Sequence, residues 1–325
     1  MVILLSTNSA ENLRDVDPET IWMVFRQTGR LLPTLQDLHQ AIRFRDIRKV
    51  RALVCCTTIR LNSSIRSCTA LSLAVYQGDA DIVQILLNQG AEVDKLSRDW
   101  SQRIETPLFS ACRLGHVAIA KILINHGASV NCTDFYNHTP LWLATRERNV
   151  ELVQLLITSG SDLNIADKWS QCPLYLATKF YGREPIAETL VRHGCKLDAT
   201  DMEGKGVFYW ALVNGLEEIL KLLLTAGVHV SKKDREQILG KTPADSIREK
   251  PQLGQFLKEQ LVNPVGLRTL CIRAVRSRLQ TSASENGNGG KSIWPRIDQL
   301  PLPPHAKQAL KLLDWFHRLA LLWDL

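Results

Sequence analysis

A chain of 325 residues that is 45% hydrophobic and 22% charged has the composition of a globular protein with a large core, and its length allows two or three domains. No apolar run approaches the roughly 20 residues that span a bilayer, and Met1–Leu5 is too short for a signal h-region and lacks a basic flank; no membrane partner is expected, and the expected location is cytoplasmic or nuclear. The net charge of +7 favours acidic partners, while the absence of an aromatic-basic RNA motif or a zinc finger argues against nucleic acid.

Residues 1–33 read as an N-terminal extension with one amphipathic stretch, Ile21-Trp-Met-Val-Phe25. Residues 34–262 are repetitive. A degenerate first unit spans Thr34 to Val54, with Leu35, Leu38 and Ala41 inward. Five segments then align: Thr69-Ala-Leu-Ser-Leu-Ala74, Thr106-Pro-Leu-Phe-Ser-Ala111, Thr139-Pro-Leu-Trp-Leu-Ala144, Cys172-Pro-Leu-Tyr-Leu-Ala177 and Gly206-Val-Phe-Tyr-Trp-Ala211. Their starts lie 37, 33, 33 and 34 residues apart, a period that signals stacked repeats. Each is followed by an apolar run closing on glycine, at Gly90, Gly127, Gly160, Gly194 and Gly227. The alanine and that glycine are 16 residues apart in four units, and the unit from Ala177 to Gly194 has one residue more. Thr242-Pro-Ala-Asp245 to Leu261 reads as a polar terminal repeat.

The pattern predicts two short helices per repeat. Proline at the first turn tolerates its missing donor, and Thr106 or Thr139 before it can cap the helix. The alanine allows close approach, and the glycine provides a left-handed C-cap. Between repeats, Asp134-Phe-Tyr-Asn137, Asp167-Lys-Trp-Ser170 and Asp201-Met-Glu-Gly204 carry the turn formers of projecting hairpins. One such unit cannot bury its apolar face alone, whereas a stack can. The segments resemble the ankyrin repeat, whose signature is Thr-Pro-Leu-His-x-Ala. The resemblance implies an all-α ankyrin-repeat solenoid of about six to seven repeats. Ser72, Phe109, Trp142, Tyr175 and Tyr209 stand where the signature has histidine, which puts that residue's usual hydrogen bond to the neighbouring loop in question.

Residues 263–325 follow a different grammar. Asn263-Pro264 is a helix-start signal. Behind it Leu267, Leu270, Cys271, Ala274 and Val275 form one narrow apolar stripe, with Arg268, Arg273, Arg276 and Arg278 on the other faces. Such a helix suits insertion of one leucine into a partner's pocket. Gln280 to Lys291 is a Ser-, Asn- and Gly-rich loop. In Ile297-Asp-Gln-Leu-Pro-Leu-Pro303 the prolines forbid helix and central strand, leaving an extended segment that displays Leu300 and Leu302. A helix from Ala306 to Phe316 and an apolar tail to Leu325 close the chain.

Together these elements resemble the SOCS box, and with the upstream repeats the chain is similar to the ankyrin repeat and SOCS box (ASB) family. The resemblance implies an elongin-binding box at Leu267, Leu270, Cys271 and Val275, with Gly266 in its small position. It implies a cullin-5 box at Ile297, Leu300, Pro301, Leu302 and Pro303. The chain would then be a substrate-recognition subunit of an elongin B/C–cullin-5–RING ubiquitin ligase, without cofactor or catalytic residues of its own. An adaptor that tethers or masks its partner without ubiquitination is the alternative.

Other motifs point away from chemistry. Eight cysteines occur without a Cys-x-x-Cys pair, so neither zinc nor another metal is expected, and they read as small core residues. Gly240-Lys-Thr242 lacks the upstream glycine and strand of a P-loop, Arg235 standing at the glycine position. His116, His126, His138 and His193 fall at separate loop or helix-end positions, and no hydrolase or metalloprotease signature is present. For target binding, the second residue after each alanine is Tyr76, Arg113, Arg146, Lys179 and Val213. The bases Arg113, Arg146 and Lys179 make a positive stripe suited to an acidic target protein. Hairpin tips add Trp100, Tyr136 and Trp169, residue types common as interface anchors. In the alternative reading the bases are solvated and the aromatics pack on adjacent hairpins.

Overall fold

The computed structural model describes residues 33–55, 59–98, 103–226, 228, 230–239 and 251–262. The sites assigned to residues 263–325 therefore lie outside the described residues, as do Trp100, nearly all of the N-terminal extension and Lys241–Lys250 of the terminal repeat. Two compact units share the chain, one ending at Asp134 and the other beginning at Phe135.

In the first unit, α1 (Leu35–Arg43) and α2 (Ile47–Val54), α3 (Ala70–Gln77) and α4 (Ala80–Asn88), and α5 (Pro107–Leu114) and α6 (Val117–Asn125) form three helix pairs. Two antiparallel ribbons, β1 (Ser64–Ile65) with β2 (Cys68–Thr69) and β3 (Ser97–Arg98) with β4 (Ile104–Glu105), precede α3 and α5. The second unit holds α7 (Pro140–Arg146) and α8 (Val150–Thr158), α9 (Pro173–Lys179) and α10 (Glu184–Arg192), α11 (Val207–Val213) and α12 (Glu217–Thr225), and α13 (Lys232–Leu239) and α14 (Pro251–Val262). The fold is thus helical with short strands added, not purely helical. Among the first three pairs of each unit the first helices of neighbouring pairs pack on one another, and so do the second helices.

Helices of seven to nine residues are too short to persist alone in water. Their caps and their packing hold them. Pro107, Pro140 and Pro173 each open a helix, and the residue before accepts the N–H three positions on: Thr106 from Phe109 at 3.3 Å, Thr139 from Trp142 at 3.1 Å, and Cys172 from Tyr175 through sulfur at 3.4 Å. Ala74, Ala111, Ala144, Ala177 and Ala211 are fully buried, so backbones approach where a larger side chain would hold them apart. Gly90, Gly127, Gly160 and Gly194 take φ of 84°, 86°, 86° and 85° after the second helices. Behind them the N–H of Ala91, Ala128, Ser161 and Cys195 returns to a last-turn carbonyl at 3.0, 3.0, 3.0 and 3.2 Å, the closure that a left-handed C-cap makes possible.

Polar ties link one repeat to the next. Asn62 accepts from the Glu92 N–H at 2.8 Å, Asp94 from the Ser129 N–H at 3.1 Å, and Asn164 from the Lys196 N–H at 2.7 Å. At the ends of the first helices, orphan carbonyls find side chains from the following repeat. Gln77 donates to Arg43 O and receives Arg45 in return, while Asn214 donates to Thr178 O and Lys179 O at 2.8 Å.

Candidate protein-binding surface

The expected positive stripe divides into charges of different kinds. Arg113, at the end of α5, donates through Nε and Nη2 to Glu105 Oε2 at 3.1 and 3.0 Å. The Glu105 side chain is 5% exposed and that of Arg113 13%, and Ser110 Oγ adds a third donor at 3.0 Å. Glu105 closes β4, so this pair clamps the ribbon to its helix. Arg113 is consequently a neutralised structural base, not the solvent-directed cation that its position in the repeat suggested.

In the second unit Arg146 and Lys179 lie one helical turn beyond Trp142 and Tyr175. Each cation sits over the ring four residues back, Arg146 at 5.4 Å from the Trp142 centroid and Lys179 at 5.2 Å from that of Tyr175. Spacing of i to i+4 brings such pairs onto one face, and the ring quadrupole attracts the cation. Arg146 also grips Glu147 Oε1 through two nitrogens at 2.9 and 2.8 Å. Lys179 donates to Tyr175 Oη at 3.1 Å and stands 4.8 Å from the Trp210 ring, which Lys205 approaches at 5.6 Å.

Two of the rings that replace the signature histidine keep a bond to the next loop. Trp142 Nε1 donates to Gln171 O at 3.2 Å, and Tyr175 Oη donates to Asp201 Oδ2 at 2.7 Å. Burial pushes the Asp201 carboxyl up, but the Tyr175 hydroxyl, the N–H groups of Lys205 and Glu203 and the charge of Lys179 together hold it below the ordinary carboxylate value. Burial first, then the Asp201 bond, pushes the Tyr175 phenol up.

Of the predicted tip aromatics, Tyr136 and Trp169 fall within the described residues. They stack at 5.7 Å with 21° between planes, yet remain 47% and 46% exposed. They both pack on each other and face solvent. The tips are held from below: Lys168 N–H donates to Tyr136 O at 3.1 Å, Asn137 Nδ2 to Ala166 O at 2.7 Å, and Asp167 Oδ1 accepts from Trp169 and Gln171 N–H at 2.9 and 2.8 Å. His138 is sandwiched behind them, its ring 3.8 Å from that of Trp142 and its Nε2 3.9 Å from Asp167 Oδ2. Sequence reasoning noted this histidine only as a loop position outside any catalytic site, and it passed over Tyr181 and Arg183 in the turn after α9.

Titratable and metal-ligating groups do not converge. No group of three or more potential metal ligands occurs among the described residues. Burial pushes the Cys55, Cys112, Cys132 and Cys172 thiols up, away from a reactive thiolate. Burial, reinforced by Arg43, lowers His39 to about 4, and burial lowers His116 as well. His126 and His193 face the carbonyls of Ile122 and Thr189. No helix among the described residues is long and apolar enough to cross a membrane.

This surface combines hydrogen-bonded tips, half-exposed rings and cations laid over aromatic faces. The chain is similar to the Ankyrin repeat and KH domain-containing protein mask of Drosophila melanogaster, 34% identical over 90 residues, a stretch that covers 26% of this chain and 2% of that protein. The family model described as ankyrin repeats (3 copies) matches residues 38–134, 92–167 and 141–234. With the helix pairs and glycine caps seen in each unit, these matches place the chain in the ankyrin-repeat family, whose members suggest a role in protein–protein interaction.

Proposed function

We propose that the chain is the substrate-recognition subunit of an elongin B/C–cullin-5–RING ubiquitin ligase, its ankyrin repeats holding a target protein and residues 263–325 recruiting the ligase. The observation that carries this reading is the ordered pair of motifs behind the repeats, Leu267-x-x-x-Cys271-x-x-x-Val275 and then Ile297-x-x-Leu300-Pro-Leu-Pro303. On its sequence pattern the first is expected to offer Leu267 from a narrow apolar stripe, with Leu270 beside it. In the second, Pro301 and Pro303 are expected to restrict the backbone that carries Leu300 and Leu302, so that little entropy would be lost on docking. Ubiquitination then follows from proximity: the receptor raises the effective concentration of a target lysine near the charged conjugating enzyme, and the chain itself forms no covalent intermediate.

Truncating a buried interface leucine costs about 2–4 kcal/mol. Leu267→Ala with Cys271→Ala therefore abolishes co-purification of elongin C from cells expressing the full chain, while the repeats keep their helical circular dichroism. Alanines at Leu300–Pro303 remove cullin-5 and leave elongins B and C bound. Wild-type recovery of elongin C by the double variant refutes the assignment. The tail with Trp315, Phe316, Leu321, Leu322 and Trp323 favours the adaptor alternative, because an apolar segment folded back on the cullin box would compete for the same surface. Elongin capture without cullin-5 by the wild-type chain is the result that selects it.

A further inference from the structure

Where a first helix hands over to its partner, one residue takes a left-handed backbone so that the next can begin the second helix. Gly78, Gly115, Gly182 and Gly215 fill this slot with φ of 75°, 77°, 76° and 61°. Between α7 and α8 the slot holds Arg148, at φ 60°. An L side chain is disfavoured there because its Cβ crowds the following carbonyl, and a strained residue retained where its sister turns have glycine points to a use for the side chain. Arg45, at φ 54°, is the other arginine in such a turn, and its use is visible: Nη2 donates to Gln77 O at 2.7 Å. Arg148 has no such partner among the described residues. Its guanidinium lies over the next turn, with Nη1 3.1 Å from where a Cβ on Gly182 would stand.

The surroundings want an anion. Arg183, 8% exposed, spends its donors on the end of α7, Nε on Thr145 O at 2.9 Å and Nη2 on Arg146 O at 2.7 Å. Both partners are neutral. Burial first, and then the charge of Arg148, disfavours the protonated form of Arg183, with Glu147 acting the other way. Glu147 is itself gripped by Arg146, and Glu184 Oε1 accepts the Gly182 N–H at 3.3 Å. Arg148 and Arg183 thus share the neighbourhood of one carboxylate, Glu147, which Arg146 already holds. Against them stand Phe180 and Tyr181, 44% and 64% exposed, with Arg183 5.2 Å and Lys179 5.7 Å from the Phe180 ring centroid.

We propose that Arg148, Arg183, Phe180 and Tyr181 form a docking site for an acidic segment of the target protein, one carboxylate meeting Arg148 and a neighbouring apolar side chain lying on Phe180 and Tyr181. The proposal rests on the reading of the repeats as the target-holding part. A carboxylate here offsets the mutual repulsion of Arg148 and Arg183. The fixed turn presents Arg148 with less backbone freedom to lose than a loop would have.

The test uses the full chain and a fluorescein-labelled peptide of glutamates and aspartates around a central Leu-Phe pair, read by fluorescence anisotropy. Arg148→Gly weakens binding about tenfold, the scale of one lost charge-assisted contact, and does not lower the melting temperature, since glycine suits the slot. Phe180→Ala weakens the same peptide. Arg45→Gly, which changes the equivalent turn of another repeat, leaves its affinity unaltered. A peptide with glutamine and asparagine in place of the acids does not compete. The proposal is overturned by wild-type affinity in Arg148→Gly, by equal competition from the amide peptide, by absence of binding to the wild-type chain, or by displacement of the peptide by an equimolar oligothymidine, which would assign the patch to nucleic acid. Elongin C capture run on the same proteins keeps the readings apart: Arg148→Gly retains elongin, and the Leu267→Ala, Cys271→Ala variant retains the peptide.

Discussion

Tyr175→Phe isolates the bond by which one repeat holds the next. The Tyr175 side chain is fully buried, and its ring meets Trp210 edge-on at 6.3 Å, so phenylalanine preserves the packing and removes only the hydroxyl. That hydroxyl donates to Asp201 Oδ2 at 2.7 Å and accepts from Lys179 Nζ at 3.1 Å. A hydrogen bond to a charged group contributes about 1.5–3 kcal/mol. Asp201 keeps the N–H groups of Glu203 and Lys205 at 2.9 and 2.8 Å and is open enough for water to replace the lost donor, which places the loss near about 1.5 kcal/mol. At about 2–4 °C per kcal/mol for a domain of this size, the melting temperature falls by roughly 3–6 °C at pH 7. The sign of the pH dependence follows from Asp201, whose folded pKa is held below its ordinary value. Stability from such a carboxylate is fully present above the unfolded value of about 3.9 and disappears as pH falls through the lower folded value. The deficit of Tyr175→Phe is therefore constant at neutral pH and shrinks below about pH 3.9. Thermal unfolding followed by circular dichroism at pH 7 and in acid measures both, and a cycle with Asp201→Asn gives the coupling. A coupling below about 0.3 kcal/mol, or an unchanged deficit in acid, refutes the reasoning.

Arg113→Ala leaves the buried Glu105 with Ser110 alone among the side-chain donors described above, and loss of one partner from a buried pair costs about 3–5 kcal/mol. Arg146→Ala breaks a pair with Glu147 that is exposed on both sides and costs less than about 1 kcal/mol; urea unfolding in which Arg146→Ala proves the more harmful contradicts the assignment of Arg113 to structure. Gly127→Ala meets no atom within 4 Å and is strained only through φ of 86°, so its cost is the left-handed penalty of about 1–2 kcal/mol, and a loss far above that in the same titration means that the space around the cap is not open.

The repeat was legible because its signals are local and periodic. Proline at the first position, the capping residue before it, the buried alanine and the glycine 16 residues on each answer to a backbone requirement within their own helix pair. The ring-for-histidine exchange was legible as a departure, but its resolution was not. Whether Trp142 and Tyr175 reach the next loop depends on where Gln171 and Asp201 are carried by a different repeat. Arg113 misled for the same reason. Its position within the repeat matches those of Arg146 and Lys179, but its partner Glu105 comes from the preceding ribbon, at a spacing that no helical period marks. The extra residue between Ala177 and Gly194 was visible in the sequence, while its consequence was not. It lengthens the turn to Phe180-Tyr-Gly-Arg183 and brings Arg183 onto the carbonyl end of α7.

Charge in the repeats serves two ends, and the difference decides which substitutions report on binding. Reversing Arg113 along with Arg146 and Lys179 places a second carboxylate beside the buried Glu105, so loss of target binding would follow from damage to the ribbon clamp whether or not the stripe meets a target. Arg146 and Lys179 are less committed, yet each lies on a ring that links repeats, and their removal disturbs that link as well. Arg148 differs from all three. Its backbone is strained, four of its sister turns manage with glycine, and its guanidinium makes no bond among the described residues. A substitution that the fold tolerates or prefers, and that nevertheless weakens capture of an acidic segment, separates recognition from stability in a way that charge reversal along the stripe does not.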